Sequence, residues 1–128
     1  MGEDKNLKYF RIFPLEDGFE VWVGKHSEAN DLLSFKYTKQ NDLWFHVRGT
    51  SGSHTILKIP EDFDGVIPKD YIKTAAEICA FCSKAKNAKN VPVAYTEGKN
   101  VQKYKGAKSG SVVIKGEKVI KIEPKVPA

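Results

Sequence analysis

The chain has 128 residues, the usual size of one domain, and 41% of them are hydrophobic, which suits a packed core and argues against a disordered chain. No apolar run approaches the roughly 20 residues of a membrane helix, and the polar N-terminus lacks a signal-peptide core, so a cytoplasmic protein without a membrane partner is expected. The net charge of +5 divides into −3 for residues 1–82 and +8 for residues 83–128, which indicates a polyanionic partner for one face.

The first half of the chain predicts two pairs of strands with a short helix between them. In chain order these are strands over residues 9–13 and 19–24, a helix over 28–37, and strands over 43–48 and 53–59. The dipeptide Asp17-Gly18 between the first two strands is typical of hairpin turns. Ser27 has the hydroxyl that caps a helix N-terminus.

The second half predicts a long helix followed by short strands. The elements are a helix over about 69–86 and strands over 91–96, 112–114 and 119–122, the last two paired as a hairpin around 115–118. Pro68 suits the first turn of the helix, where its missing N–H is harmless. Strands and helices mix without regular alternation, so the predicted fold class is α+β. We expect one compact domain over 1–128, with its core over about 9–122, a mostly antiparallel sheet, and one long and one short helix.

Cys79 and Cys82 are the two cysteines, and they lie one turn apart on the predicted long helix. A redox or metal-binding pair is one interpretation of this spacing. Two small apolar residues packed against the core is the other, and it is favoured because no further cysteine completes a four-thiolate zinc site.

The strand over residues 43–48 presents two different faces, because successive side chains of a strand alternate. One face carries Leu43, Phe45 and Val47, and the other carries Trp44, His46 and Arg48. An exposed indole would offer a stacking platform to a nucleobase, and an arginine would bind phosphate or stack on a base. In the alternative, Trp44 packs under a helix and Arg48 forms an external ion pair. The spacing leaves both open.

The turn after this strand brings His46 and His54 near each other if the flanking strands pair. A metal would need a third ligand, and Asp42, the nearest candidate, has a spacing that matches no metal motif. The sequence therefore predicts no metal and no cofactor. Gly52-Ser53 is either an ordinary turn or a nest whose backbone N–H groups and hydroxyl bind phosphate.

Lysines dominate residues 83–108, where Glu97 is the one acidic residue. They are Lys84, Lys86, Lys89, Lys99, Lys103, Lys105 and Lys108. Residues 99–110 predict an exposed basic loop, whose phosphate contacts would give salt-dependent, sequence-independent affinity. A solvated loop without a partner is the alternative. No nucleophile motif, P-loop or dinucleotide fingerprint is present, so an enzyme is not predicted and no catalytic residue is assigned.

Several sequence blocks resemble a known family. They are NDLL at 30–33, NDLWFHVRG at 41–49, GSH at 52–54, SKAK at 83–86, VPVAYT at 91–96 and GAK at 106–108. Over about residues 9–122 the chain resembles the NFACT-R domain, which also occurs in fibronectin-binding-protein-A-like proteins. The resemblance implies a domain that grips tRNA or large-subunit ribosomal RNA in proteins of ribosome-associated quality control. The untemplated tailing of such proteins also needs an N-terminal domain and a coiled coil.

The chain departs from the family pattern in three places. Lys25 stands where the family often has arginine, which keeps the charge but loses the guanidinium fork. Ser51 and Ser109 stand where prolines are common. The domain by itself is expected to act in trans, to have diverged, or to be a piece of a longer protein.

An RNA-binding module on the ribosome is therefore the predicted function. A small histidine-dependent RNA-processing enzyme and a ribosome-bound protein adaptor are the alternatives. A pocket joining His46 and His54 would favour the enzyme, and a continuous positive surface would favour the module. The candidate RNA-binding residues are Lys25, Asn30, Asp42, Trp44, His46, Arg48, Gly52, Ser53, His54, Ser83, Lys84, Lys86, Lys99, Lys103, Lys105 and Lys108.

Overall fold

A six-stranded antiparallel sheet forms the centre of the fold, which is described by a computed structural model for residues 5–103, 106, 108 and 111–126. The strands of these residues are β1 (Phe10–Pro14), β2 (Glu20–Gly24), β3 (Leu43–Val47), β4 (Thr55–Lys58), β5 (Val91–Glu97), β6 (Val101–Gln102), β7 (Val113–Ile114) and β8 (Lys118–Ile122). The main sheet has the order β1-β2-β4-β3-β5-β8, and β6 pairs with β7 in a separate small sheet. The predicted α+β class with a mostly antiparallel sheet is confirmed.

The β1–β2 hairpin turns at the dipeptide that predicted it. Asp17 has φ 60° and Gly18 has φ 82°, so both occupy the left-handed region that a tight turn requires. The backbone N–H of Leu15 donates to the carbonyl of Phe19 at 2.8 Å and closes the turn.

Among the described residues two α-helices accompany the sheet, one short and one long, as predicted. Helix α1 (Ser27–Leu32) continues into a π-helical turn over Leu33–Tyr37, and α2 spans Lys69–Phe81. The N-cap of α1 is His26 and not the expected Ser27, because Nδ1 of His26 accepts the Ala29 N–H at 3.3 Å. No helix of the described residues is long and apolar enough to cross a membrane.

Helix α2 ends at Phe81 rather than near residue 86. The hydroxyl of Ser83 donates to the Ala80 carbonyl at 2.6 Å and accepts the Ala85 N–H at 3.0 Å. These bonds replace the next turn of helix with a local turn, because a serine hydroxyl competes for backbone groups. Lys84 and Lys86 therefore lie on irregular chain beyond the helix, not on its surface.

Helix α2 packs on one face of the sheet, which we call the α2 face. Phe45, Val47, Leu57 and Val93 meet Ile78 there, and all five are buried. Cys79 is fully buried in the same core, and burial raises the pKa of its thiol to about 12. Burial also raises the pKa of the Cys82 thiol, against the opposing influence of the Arg11 guanidinium. Both thiols are free, and the favoured packing interpretation is confirmed for Cys79.

The opposite face of the sheet, the α1 face, is covered by α1, the π-helical turn and the small sheet β6–β7. Its core is made of Phe10, Ala29, Leu33, Trp44 and Ile56. The predicted hairpin between residues 112–114 and 119–122 is wrong. Strand β7 pairs with β6, and β8 pairs with β5. The long strand β5 offers β8 a free backbone edge, while the apolar side chains around β7 cover the α1 face.

Candidate nucleic-acid interface

A cleft opens where the β3–β4 turn meets the chain beyond α2, and we call it the basic cleft. Its lining includes Arg11 of β1, the turn residues Ser51, Gly52 and Ser53, and Ser83, Lys84 and Lys86 after the helix. Three side chains here are permanent cations at neutral pH, and no Asp or Glu of the described residues is among the lining side chains. With a volume of about 530 Å³, the cleft is suited to an anionic group of nucleotide size.

Gly52 holds the turn against the helix end. It forms an isolated antiparallel bridge with Ser83. A Cβ atom added to Gly52 would lie 2.9 Å from the Cβ of Ser83, closer than real side chains approach. The structure brings six predicted residues together as parts of one cleft: Asn30, Gly52, Ser53, Ser83, Lys84 and Lys86.

Arg11 is the cleft residue that the sequence did not single out. Its Nη1 donates to Sγ of Cys82 at 3.3 Å, and the side chain is exposed. Sulfur is a weak acceptor, so the remaining guanidinium donors stay available to a phosphate. Arg11 is an isolated arginine among the apolar residues of β1, so no sequence motif identified it as a binding residue. Only the sheet order, with β1 at the edge near the end of α2, brings it to the cleft.

Two other predicted lysines, Lys25 and Lys99, do not join the cleft. Nζ of Lys25 donates to the Lys8 carbonyl at 2.8 Å, and Lys99 pairs with Glu97 at 3.6 Å. In the antiparallel register Leu43 is opposite Glu97 and Val47 is opposite Val93. Lys99 therefore lies at the end of this strand pair away from the cleft.

The predicted basic loop over residues 99–110 begins on the small sheet, with Val101–Gln102 in strand β6. Lys103 pairs with Asp31 at 2.6 Å, and its Nζ lies 5.7 Å from the centre of the Phe35 ring. This lysine therefore holds the small sheet to the helical segment. Lys108 is exposed, and Lys105 lies outside the described residues.

Four predicted residues are buried: Asn30, which also lines the basic cleft, Asp42, Trp44 and His54. Trp44 is only 1% exposed, so the expectation of an exposed stacking indole is wrong, and the packing alternative holds for this side chain. The indole N–H donates to Oγ of Ser34 at 2.8 Å, and that oxygen lies 2.7 Å from Nδ1 of His54. Oδ1 of Asn30 accepts the His54 backbone N–H at 3.1 Å. The cause is that α1 and the π-helical turn cover this face of β3.

Asp42 is a structural carboxylate. It accepts the backbone N–H groups of Lys39 and Ile59 at 2.9 and 3.0 Å, and it pairs with Nζ of Lys58 at 2.7 Å. Four strand positions separate Asp42 from His46, which is about 13 Å at the usual rise. The two side chains cannot share a metal ion. No group of three or more metal-binding side chains occurs within the described part of the chain.

A second, smaller concavity of about 390 Å³ lies on the α1 face, and we call it the His46 pocket. It is lined by His46, Arg48, Ala94, Val112, Ile114 and Glu117, together with Ser111, Trp44 and His54. Trp44, His46 and Arg48 thus share a face, as the strand alternation predicted. Burial lowers the pKa of the His46 imidazole, and a hydrogen bond with the backbone of Gly52 opposes this shift.

One protein family matches the sequence over most of its length. The profile of the family described as "NFACT protein RNA binding domain" matches residues 8–120. The chain belongs to this family. The resemblance of the blocks at 30–54 and 83–108 to the NFACT-R domain is thereby confirmed.

Curated relatives of this NFACT RNA-binding domain agree. The Rqc2 homolog RqcH of Streptococcus suis is 38% identical over 105 residues, which is 81% of this chain and 18% of that protein. The Rqc2 homolog RqcH of Bacillus subtilis is 33% identical over 107 residues, covering 84% of this chain and 18% of that protein. The chain therefore spans about a fifth of these bacterial relatives.

A solved structure shares the fold. The C-terminal part of the fibronectin/fibrinogen-binding protein from Streptococcus suis superposes with a TM-score of 0.78 at 36% sequence identity. The match covers 91% of this chain and 46% of that chain. The fold and the family of the NFACT RNA-binding domain are thus established together.

Proposed function

We propose that this domain grips structured RNA, either tRNA or large-subunit ribosomal RNA, through the basic cleft. The observation that carries the proposal is the convergence of Arg11, Lys84 and Lys86 on one cleft without an acidic neighbour among its described lining residues. None of the three cations pairs with a carboxylate of the described chain. A cluster of exposed cations without carboxylate partners in the folded protein is suited to an external polyanion.

The mode of binding follows from the groups in the cleft. Arg11 has a guanidinium fork that can hold two phosphate oxygens, whereas the two lysines act as point charges. The turn at Gly52 and Ser53 adds backbone N–H groups and a hydroxyl. Such contacts read the RNA backbone and its shape, not its base sequence, so affinity falls as salt rises.

The cellular context that we propose is ribosome-associated quality control in the cytoplasm. The resemblance to the NFACT-R domain and the relatives named Rqc2 homolog RqcH support this context. Because the chain spans about 18% of those relatives, the activity of a whole protein of that kind is not carried over. The proposal for this domain is limited to holding RNA on or near the ribosome.

A binding module fits the geometry better than an enzyme. One observation favours the histidine-dependent alternative, namely that His46 and His54 line the same pocket. However, His54 is 2% exposed and its Nδ1 is engaged with Ser34, so it offers little to a substrate. Asp42, the third member of that hypothesis, lies at the other end of β3.

The adaptor alternative would need a contiguous exposed apolar patch. In the described chain the large exposed apolar side chains are Phe35, Val66 and Val119. They lie on three different elements, the π-helical turn, the segment before α2 and strand β8. No observation therefore favours the adaptor over the RNA-binding module.

Crosslinking in cells, followed by sequencing of the RNA recovered with the protein, tests the proposal. We expect enrichment of tRNA or large-subunit ribosomal RNA, and loss of that enrichment in a Lys84→Ala/Lys86→Ala variant. An RNA profile that is the same for wild type, the variant and a non-binding control protein would contradict the proposal.

A further inference from the structure

The His46 pocket has the construction of a site for a flat, partly polar ring. Ala94, Val112 and Ile114 supply apolar walls from β5 and the β7 segment. His46 supplies a ring nitrogen and Arg48 supplies guanidinium donors from β3, and Glu117 supplies a carboxylate at the rim. This combination is complementary to a nucleobase, because the faces of a base are apolar while its edge carries both donors and acceptors.

The chemistry of this pocket differs from that of the basic cleft. Burial lowers the pKa of the His46 imidazole, and one ring nitrogen is hydrogen-bonded to the Gly52 backbone. The other ring nitrogen faces a ligand as an acceptor when the ring is neutral. The exposed carboxylate of Glu117 repels phosphate but accepts from amino and imino groups. Because Glu117 offsets the charge of Arg48, the pocket lacks the net positive charge of the basic cleft and is suited to the edge of a base.

The two sites share a wall. Gly52 lines the basic cleft, and its backbone is hydrogen-bonded to the imidazole of His46, which lines the pocket. This contact makes the two concavities neighbours around the β3–β4 turn.

We propose that the His46 pocket accepts one unstacked nucleobase of an RNA whose phosphates lie in the basic cleft. The inference rests on the proposed function. It adds a base-binding subsite, so the domain would prefer RNA with a looped-out or single-stranded nucleotide over a continuous duplex. Arg48, at the rim, can stack its guanidinium plane on the base, and Glu117 can accept from the base edge.

The test uses single-stranded RNA of about ten nucleotides, a length within the roughly 4–16 nucleotides that an OB-fold domain contacts. Four homopolymers, of A, C, G and U, are titrated in parallel with an abasic strand of the same length. We expect wild type to bind at least one homopolymer about tenfold more tightly than the abasic strand, as base stacking on a protein typically allows.

Filling the pocket provides the decisive variant. Ala94 lines the pocket and is 4% exposed, so Ala94→Leu occupies the proposed base site. It should remove the preference for the homopolymer while leaving the salt-dependent binding of the abasic strand unchanged. Gln40→Leu, at an exposed position at the other end of β3, is the control and should keep the preference.

Glu117→Gln is a second test of the pocket, and it does not require the protein to fold with a larger side chain at a buried position. This exposed, isosteric change should alter which base is preferred without lowering the melting temperature. Equal binding of all homopolymers and the abasic strand would overturn the base site and leave the proposed cleft intact. A preference unchanged in both pocket variants would also overturn it. No salt-dependent binding of any strand, or of tRNA titrated in parallel, would overturn the proposed function itself.

Discussion

Gly52 and Ser83 face each other in an antiparallel bridge that fastens the β3–β4 turn to the chain beyond α2. The bridge requires the absence of a side chain at position 52, because a Cβ there would meet the Cβ of Ser83. Lys84 follows immediately. One backbone contact therefore sets the distance between the turn and the lysines of the basic cleft.

Gly52→Ala should weaken RNA binding more than its cost in stability explains. The added Cβ would lie 2.9 Å from Ser83 and must push the turn away from the helix end. Gly49→Ala is the control, since Gly49 has a left-handed φ of 80° but no atom within 4 Å of the added Cβ. We expect both to lose about 1 kcal/mol of stability, from crowding or backbone strain, in thermal melts. Only Gly52→Ala should lower RNA affinity, and equal affinities would contradict the role of the bridge.

The two faces of β3 should respond differently to truncation. Phe45 is fully buried and stacks on Tyr95 with a centroid distance of 5.4 Å, so Phe45→Ala should cost about 3–5 kcal/mol of folding stability. Arg48 is exposed, so Arg48→Ala should melt like wild type but bind RNA several-fold more weakly. Melting curves and RNA titrations on both variants decide the matter. If Phe45→Ala is as stable as wild type and Arg48→Ala binds RNA with unchanged affinity, the assignment of Phe45 to the core and Arg48 to RNA binding is contradicted.

Asp42 should contribute to folding stability and not to RNA affinity. Its carboxylate is 1% exposed and pairs with Lys58, and removing one partner of a buried ion pair typically costs about 3–5 kcal/mol. Asp42→Asn should therefore lower the free energy of unfolding in urea titrations, while the folded fraction binds RNA normally. Adding Lys58→Met should recover part of the loss, because no buried charge is then left alone. Reduced RNA affinity of the fully folded variant would reveal a direct contact instead.

His46 should make folding stability depend on pH below neutrality. Burial lowers its pKa in the folded protein from the ordinary 6.5, so the unfolded chain takes up the proton first as pH falls. The stabilisation is complete above the unfolded pKa and is lost as pH falls below it towards the folded pKa. The stability difference between wild type and His46→Gln should therefore shrink on acidification, by at most about 1.4 kcal/mol per pH unit for one proton. Urea unfolding at a series of pH values measures it, and a constant difference would contradict the assignment.

The local elements of the fold followed from the sequence. Asp17-Gly18 predicted the first hairpin, because few residue types adopt the left-handed backbone conformation that its turn requires. The helical spacing of apolar residues predicted α2. The alternation along β3 placed Phe45 and Trp44 on opposite faces correctly. It did not predict the burial of Trp44, because alternation separates two faces without saying whether both are covered.

Long-range contacts were the part that local patterns could not predict. The partners of β7 and β8 depend on which sheet edge is free, and the hairpin expected between them does not form. Arg11 reaches the basic cleft only through the order of the strands. Lys103, expected in an RNA-binding loop, is instead held by Asp31 across 72 positions of sequence.

The salt dependence of RNA binding tests the central claim most directly. Wild type, Lys84→Ala/Lys86→Ala and Lys69→Ala/Lys73→Ala are titrated with tRNA between about 50 and 200 mM salt. The control pair carries the same charge change on exposed positions of α2, where Lys69 lies about 18 Å along the helix from Phe81. The cleft variant should bind more weakly, with the slope of log affinity against log salt reduced by about 0.9 for each phosphate that the protein no longer neutralises. The control should keep the wild-type slope. A cleft variant whose affinity and slope match those of the control would contradict the assignment of RNA binding to this cleft.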